Sequence, residues 1–185
     1  MQVAPLKLFA SKNEIAAAVV RVAQQISAER SNGTVLVSVL KGSLLFLADL
    51  AKALDIEVEI DFLALNRFAP DSGRVRLLKD LNQDVTGREI VLVEGIVDTG
   101  LSLNYLVEEL QRRSAASVSV ATLLDRKARR ILPLVPDYVA FEVPDEFFLG
   151  YGLDWLGRYR NLQDLFICHP ASLAADPDAF VSVLY

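Results

Sequence analysis

Cysteine is nearly absent from this 185-residue chain: the single Cys168 excludes an internal disulfide and a cysteine-rich metal centre. Histidine is equally scarce, and the lone His169 is assigned no catalytic role, reading as an ordinary surface or core residue. No charge-free apolar run approaches the ~18 residues of a membrane span. The N-terminal stretch MQVAPLKLFASKNE lacks the basic segment and long apolar region of a signal peptide, so the expected compartment is the cytoplasm. An excess of positive charge is missing too. Lys and Arg number 19 against 24 Asp and Glu, and the net charge of −5 argues against general nucleic-acid binding while leaving room for a local basic patch. Repeats, low-complexity tracts and linkers are not found.

What is present is the profile of one globular domain, 52% apolar and 23% charged. Ser11-Lys-Asn-Glu14 fits a capping box, followed by helical spacing in IAAAVVRVAQQISAER and a stop at Asn32-Gly33. TVLVSVL (34–40) and SVSVATLL (117–124) are short apolar runs, as expected of strands covered on both faces. GSLLFLADLAKAL (42–54) and LSLNYLVEELQRRS (101–114) read as helices; EVEIDFLAL (57–65), REIVLVE (88–94) and DYVAFEV (137–143) read as strands. RVRLLKDL reads as an edge strand or an arm, and the tail PASLAADPDAF as a loosely attached end. Alternating strands and helices predict an α/β fold with a mainly parallel sheet, whose ligands bind outside the carboxyl ends of the strands.

The stretch VEGIVDTGLS (93–102) is unusual punctuation for the end of an apolar strand. Asp98-Thr99-Gly100-Leu101-Ser102 would expose successive backbone N–H groups at a helix N-terminus, with two hydroxyls beside them, which suits a phosphate. From Gly95 to Ser102 the spacing nearly spells the nucleotide P-loop, but Leu101 stands where that loop needs its lysine, so the P-loop is rejected. Two carboxylates in the loop suit sugar hydroxyls. The plain alternative is a strand–turn–helix junction capped by Asp and Thr.

This segment resembles the phosphoribosyl-pyrophosphate (PRPP) motif of type I phosphoribosyltransferases. Three further segments resemble the hypoxanthine-guanine branch in order: Leu40-Lys41-Gly42-Ser43, ATLLDRKARR (121–130) and PDYVAFEVPDEFFLGYGLDWLGRYRNL (136–162). The resemblance runs from about residue 12 to 167. It implies a twisted, mainly parallel sheet flanked by helices, with a core over about 12–135 and a base-binding hood over about 136–167 completed by the N-terminal segment. The activity implied is transfer of phosphoribose from PRPP to a 6-oxopurine, yielding a nucleoside 5′-monophosphate and pyrophosphate.

By the same resemblance, Asp98, Thr99, Gly100, Leu101 and Ser102 would hold the 5′-phosphate. Asp98 would also serve as proton relay and charge stabiliser near the purine N7. Lys41 and Gly42 would meet the pyrophosphate, across a non-proline cis peptide of the kind the family shows. Glu94 would accept from a ribose hydroxyl, Arg160 would meet the leaving pyrophosphate, and Asp154 would help hold Mg²⁺. Arg126 would donate to the base, Phe147 would stack on it, and Phe148 or its neighbours would offer backbone groups to its edge. Arg67 and Phe68 would belong to a closing lid. Homodimers or homotetramers are the family's assemblies.

Three places depart from the family pattern. Gly95 replaces a second acid, a loss expected to weaken PRPP binding by ~1.5–3 kcal/mol, so Gly95→Asp is expected to tighten it. Arg126 replaces a lysine, exchanging a point charge for a planar fork. Asn66-Arg67-Phe68-Ala69 replaces a hydroxyl-bearing lid sequence. These changes keep two other readings open: a paralogue acting on a different nitrogenous base, and a weakly active or non-catalytic nucleotide-binding regulator.

Overall fold

The computed structural model describes residues 6–66 and 76–185. Its centre is a six-stranded sheet built from β2 (Thr34–Leu40), β3 (Val58–Asn66), β4 (Arg76–Lys79), β5 (Glu89–Val97), β6 (Ser117–Asp125) and β7 (Tyr138–Glu142). The strand order is β4-β3-β2-β5-β6-β7, all parallel except the antiparallel edge strand β4. The chain winds outward in both directions from the β2/β5 pair, so the crevice outside their carboxyl ends is the place for a ligand.

Side-chain alternation along the central strands explains why they are apolar on both faces. Leu36, Val91, Val93, Ala121 and Leu123 turn one way, toward helices α1 (Lys12–Glu29) and α2 (Leu44–Ala53). Val35, Val37, Ile90, Leu92 and Val120 turn the other way, toward Leu103, Leu106 and Leu110 of α3 (Leu101–Arg112). Each fully buried leucine contributes about 1.5–3 kcal/mol. Helix α1 opens on the expected capping box: the Ser11 side chain accepts from the Glu14 N–H, and Glu14 accepts from the Ser11 N–H at 2.8 Å.

A second, three-stranded sheet stands over the carboxyl edge of the first. It joins β1 (Lys7–Ala10), β9 (Leu165–Cys168) and β8 (Phe147–Leu149) in antiparallel order. These strands hold only three or four residues each, too few to leave a clear alternating pattern in the sequence.

The expectation of a loosely attached tail is overturned. The tail forms helices α4 (Pro170–Ala175) and α5 (Val181–Leu184) joined by a turn, and Leu173 and Phe180 are buried with Leu149, Tyr159, Leu162 and Cys168. The Tyr159 hydroxyl donates to the Pro177 carbonyl at 2.8 Å. Apolar residues spaced within a polar, proline-bearing tail thus find a partner that only the folded small sheet supplies. His169 caps α4, its Nδ1 accepting from the Ala171 N–H at 3.2 Å.

Candidate active site

A cleft of about 510 Å³ opens between the two sheets. Its lining comes from the carboxyl ends of β2, β5 and β6, from β8, and from the turn that follows β8.

The apolar strand β5 runs three residues beyond the expected boundary, to Val97. Glu94 and Gly95 therefore belong to the strand, and the turn comprises only Asp98, Thr99 and Gly100 before α3 begins at Leu101. Gly100 caps the helix with φ +83°, a left-handed conformation that glycine adopts without cost from a Cβ. The turn is fastened from behind. Backbone N–H groups of Ile131 and Leu132 donate to the Thr99 carbonyl at 3.0 and 3.4 Å. Arg130 Nε donates to the Asp98 carbonyl at 3.0 Å, and its other nitrogens reach the Leu134 carbonyl and the Asp125 carboxylate. The first amides and hydroxyls of α3, with Leu101 exposed, form an open helix N-terminus suited to an anion.

Beside the turn, β2 ends in the segment Leu40-Lys41-Gly42-Ser43. The Leu40–Lys41 peptide is cis, as the resemblance implied. Lys41 is exposed on the cleft. Ser43 is buried and anchors the segment, donating to the Val39 carbonyl at 2.5 Å and lying 2.7 Å from the Ser38 hydroxyl. Glu94 lines the same side of the cleft with only 3% exposure.

On the opposite side the key contact is between Arg126 and Asp98. Arg126 Nη1 donates to both Asp98 carboxylate oxygens at 3.2 and 3.3 Å, while Nη2 donates to the Glu146 carbonyl at 2.6 Å. Its guanidinium lies 5.9 Å from the centre of the Phe148 ring, and the buried Nε has no hydrogen-bond partner among the described residues. Phe148 is a core residue, edge-on to Phe9 at 5.1 Å, so only its backbone is available to a base. Phe147 is half-buried in the cleft lining, edge-on to Trp155 at 5.5 Å.

Asp154 and Arg160 close the third side. They pair at 2.8 Å, and both still line the cleft. Asp154 also accepts from the Gly157 N–H at 2.7 Å, and Arg160 donates to the Gly152 carbonyl at 2.6 Å. Among the described residues no group of three or more His, Cys, Asp or Glu gathers as a metal cage. A lone carboxylate facing an open cleft still suits Mg²⁺, which keeps several waters and takes its remaining ligands from substrate phosphates.

The structure thus brings Lys41, Gly42, Glu94, Asp98, Arg126, Phe147, Phe148, Asp154 and Arg160 to one cleft, whereas Thr99, Gly100, Leu101 and Ser102 follow Asp98 at the start of α3 and do not line it. Arg67 and Phe68, expected in a lid, lie outside the described residues. Sequence reasoning did not single out Arg129, Leu153 or Arg130. Arg129 and Leu153 line the cleft, and Arg130 braces the turn. The signal available for the two arginines was the basic run RKARR directly after a buried strand.

One expectation fails on geometry. A Cβ built on Gly95 would stand 2.8 Å from the Gly42 carbonyl oxygen and 2.9 Å from its carbon. An aspartate cannot be restored here without displacing the backbone of the 41–43 segment, so Gly95 is not simply a deleted carboxylate. The expectation that Gly95→Asp would tighten PRPP binding is withdrawn.

Comparison with known proteins agrees with this geometry. Residues 9–155 match the model of the phosphoribosyl transferase domain. The hypoxanthine-guanine phosphoribosyltransferase of Bacillus subtilis is 41% identical over 169 residues, covering 89% of this chain and 94% of the relative. A crystal structure of a hypoxanthine-guanine phosphoribosyltransferase from Bacillus anthracis, with HEPES in its active site, superposes with a TM-score of 0.84 at 34% identity, covering 88% of this chain and 98% of that one. The hypoxanthine phosphoribosyltransferase of Trypanosoma cruzi superposes with a TM-score of 0.87 at 35% identity, covering 96% and 97%. With its fold, cleft and four ordered segments in agreement, the chain belongs to the type I phosphoribosyltransferases, in their hypoxanthine-guanine family.

Proposed function

We propose that the protein transfers the phosphoribosyl group of PRPP to a 6-oxopurine, hypoxanthine or guanine, in purine salvage. One observation supports this above others: four segments far apart in the sequence converge on a single cleft, a phosphate-type turn at one end and an aromatic, arginine-lined wall at the other.

In this reading the amides and hydroxyls of Thr99 to Ser102 hold the 5′-phosphate at the N-terminus of α3, and Glu94 accepts from the ribose. Lys41, Gly42 and Arg160 receive the pyrophosphate. The C1′–O bond breaks with its electron pair leaving on pyrophosphate, while N9 of the purine forms the new C1′–N bond. The ring then carries an extra proton at N7, which passes to Asp98. The negative Asp98 also stabilises the cationic sugar as the bond to pyrophosphate opens. Phe147 stacks on the purine, and the small sheet acts as a hood over it. Mg²⁺, held by Asp154 and the pyrophosphate oxygens, would neutralise the leaving group's charge. The Asp154–Arg160 pair then holds opposite charges ready for the metal and the phosphate.

The purine's 6-oxo group meets Arg126, whose Nη atoms are already bonded to Asp98 and to Glu146. This observation favours a second reading, in which the preferred base differs from hypoxanthine and guanine. Incubating the protein with PRPP, Mg²⁺ and hypoxanthine, guanine or xanthine, and resolving the nucleotide by chromatography, tests the first reading; no product with any of the three sinks it. Turnover confined to pyrimidines or small azoles supports the second. Tight nucleotide binding without turnover would identify a regulator instead. Removal of Mg²⁺ with EDTA is expected to abolish turnover. Assembly as a homodimer or homotetramer in the cytoplasm accompanies this proposal. Among the described residues no helix is long and apolar enough to cross a membrane.

A further inference from the structure

Three segments meet at one backbone atom, the carbonyl oxygen of Gly42. From the large sheet, Gly95 approaches so closely that a Cβ would lie 2.8 Å from this oxygen; from the turn after β8, Gly152 approaches so closely that a Cβ would lie 2.4 Å from it. Both glycines are buried. The Leu153 side chain fills the remaining side, 3.3 Å from the Gly95 position and 3.7 Å from the Gly42 position. The Gly152 carbonyl in turn accepts from Arg160, which pairs with Asp154.

The register shows why the approach is possible. Pairing of β2 with β5 stops at Ser38–Val93, whereas β5 stays paired with β6 as far as Val97–Asp125. Beyond Val93 the β2 side of β5 is therefore vacated by a strand and taken by the loop. Gly95 is the β5 residue under that loop, and it needs no glycine for its own backbone, since its φ lies outside the left-handed region. Its lack of a side chain serves the neighbour, not itself.

We propose that Gly95 is a positioning residue for the 41–43 segment, and that together with Gly152 it sets how deep that segment sits in the cleft and so sets affinity for pyrophosphate. An acid at this position would gain one ribose hydrogen bond but push the pyrophosphate loop outward; this chain, with glycine, keeps the loop close. The inference rests on the PRPP reading above, and it assigns the position a role in grip on the leaving group, not on the sugar.

Gly95→Ala carries no charge and separates the two ideas. Its affinity for PRPP and for inorganic pyrophosphate is expected to fall about tenfold, as an overpacked contact predicts, with affinity for inosine 5′-monophosphate nearly unchanged because that nucleotide carries no pyrophosphate. Gly95→Asp is expected to bind PRPP no better than Gly95→Ala. Unchanged PRPP affinity in Gly95→Ala, equal losses for the monophosphate and PRPP, or tighter PRPP binding by Gly95→Asp would each overturn the proposal. If Gly95→Ala does not fold, Gly152→Ala, which presses on the same carbonyl from the hood side, must show the selective loss; failure of both to fold also overturns it. The unaltered protein is assayed first with hypoxanthine and PRPP. No turnover there removes the transferase reading, while pyrophosphate binding by the variants still decides the role of Gly95.

Discussion

The two ends of the cleft are built differently. The end proposed for phosphate is a backbone device: a buried strand, a three-residue turn, a left-handed glycine and a helix N-terminus, braced from below by Arg130. The end proposed for the base is a side-chain device, assembled from Arg126, Phe147 and the Glu146 carbonyl, with Asp98 shared between the two. A backbone device follows from a short contiguous motif and tolerates little change. A side-chain device draws on separate segments, so one substitution can alter its preference without dismantling the fold. Of the departures from the family pattern, Arg126 lies at the base end and Gly95 beside the 41–43 segment, while the turn 98–102 is intact.

The largest effect that sharpens this contrast is expected at Arg130. Its side chain and Asp125 are 13% and 1% exposed, and Arg130→Ala leaves that carboxylate without its cation. Stability should fall by about 3–5 kcal/mol, seen as a melting point lower by about 6–20 °C in a domain of this size. A drop under 2 °C would show the turn to be self-supporting. Next is Arg126→Ala, which strips Asp98 and Glu146 of a charged donor. We expect kcat/KM for the base to fall about 10- to 150-fold, equivalent to ~1.5–3 kcal/mol, with KM for PRPP nearly constant. A parallel loss for PRPP would break the division between the ends.

Gly100→Ala should act on the other end. The left-handed backbone costs a side chain roughly 1–2 kcal/mol, and the new Cβ would lie 3.0 Å from Arg130 Cδ. PRPP affinity should decline about 5- to 30-fold by that cost, and the KM for the base should stay put. The smallest change is expected for Phe147→Leu, which keeps bulk but removes an aromatic face worth about 0.5–1.5 kcal/mol. The KM for the base should rise a few-fold, and equal sensitivity of PRPP would count against stacking.

How much of this was legible depended on distance along the chain. The capping box at Ser11, the covered strands β2, β5 and β6 and the strand–turn–helix junction before α3 are local patterns, and the structure reproduces them, with β5 extended to Val97. The strands of the small sheet are too short to show a period, and the burial of Leu173 and Phe180 depends on a surface formed by Leu149, Tyr159 and Leu162. The status of Gly95 was illegible for a similar reason. Nothing adjacent to it in sequence announces that the Gly42 carbonyl, 53 positions earlier and just past the end of β2, lies against it. The pairing of Arg126 with Asp98 likewise joins the ends of two parallel strands, which a motif places near each other without saying what they bond.

The lone cysteine, unremarkable as chemistry, turns out to be a clock. Cys168 ends β9 inside the apolar cluster beneath α4 and α5, where burial pushes its thiol up to about 11. Closed, it is shielded and protonated at neutral pH; opened, it would react like any free thiol. Because the sequence contains no second thiol, the alkylation rate of the native protein would time the opening of the cluster that the small sheet and the C-terminal helices close. Comparing that rate with and without nucleotide would report how firmly a bound base holds its roof shut, with no engineered cysteine needed.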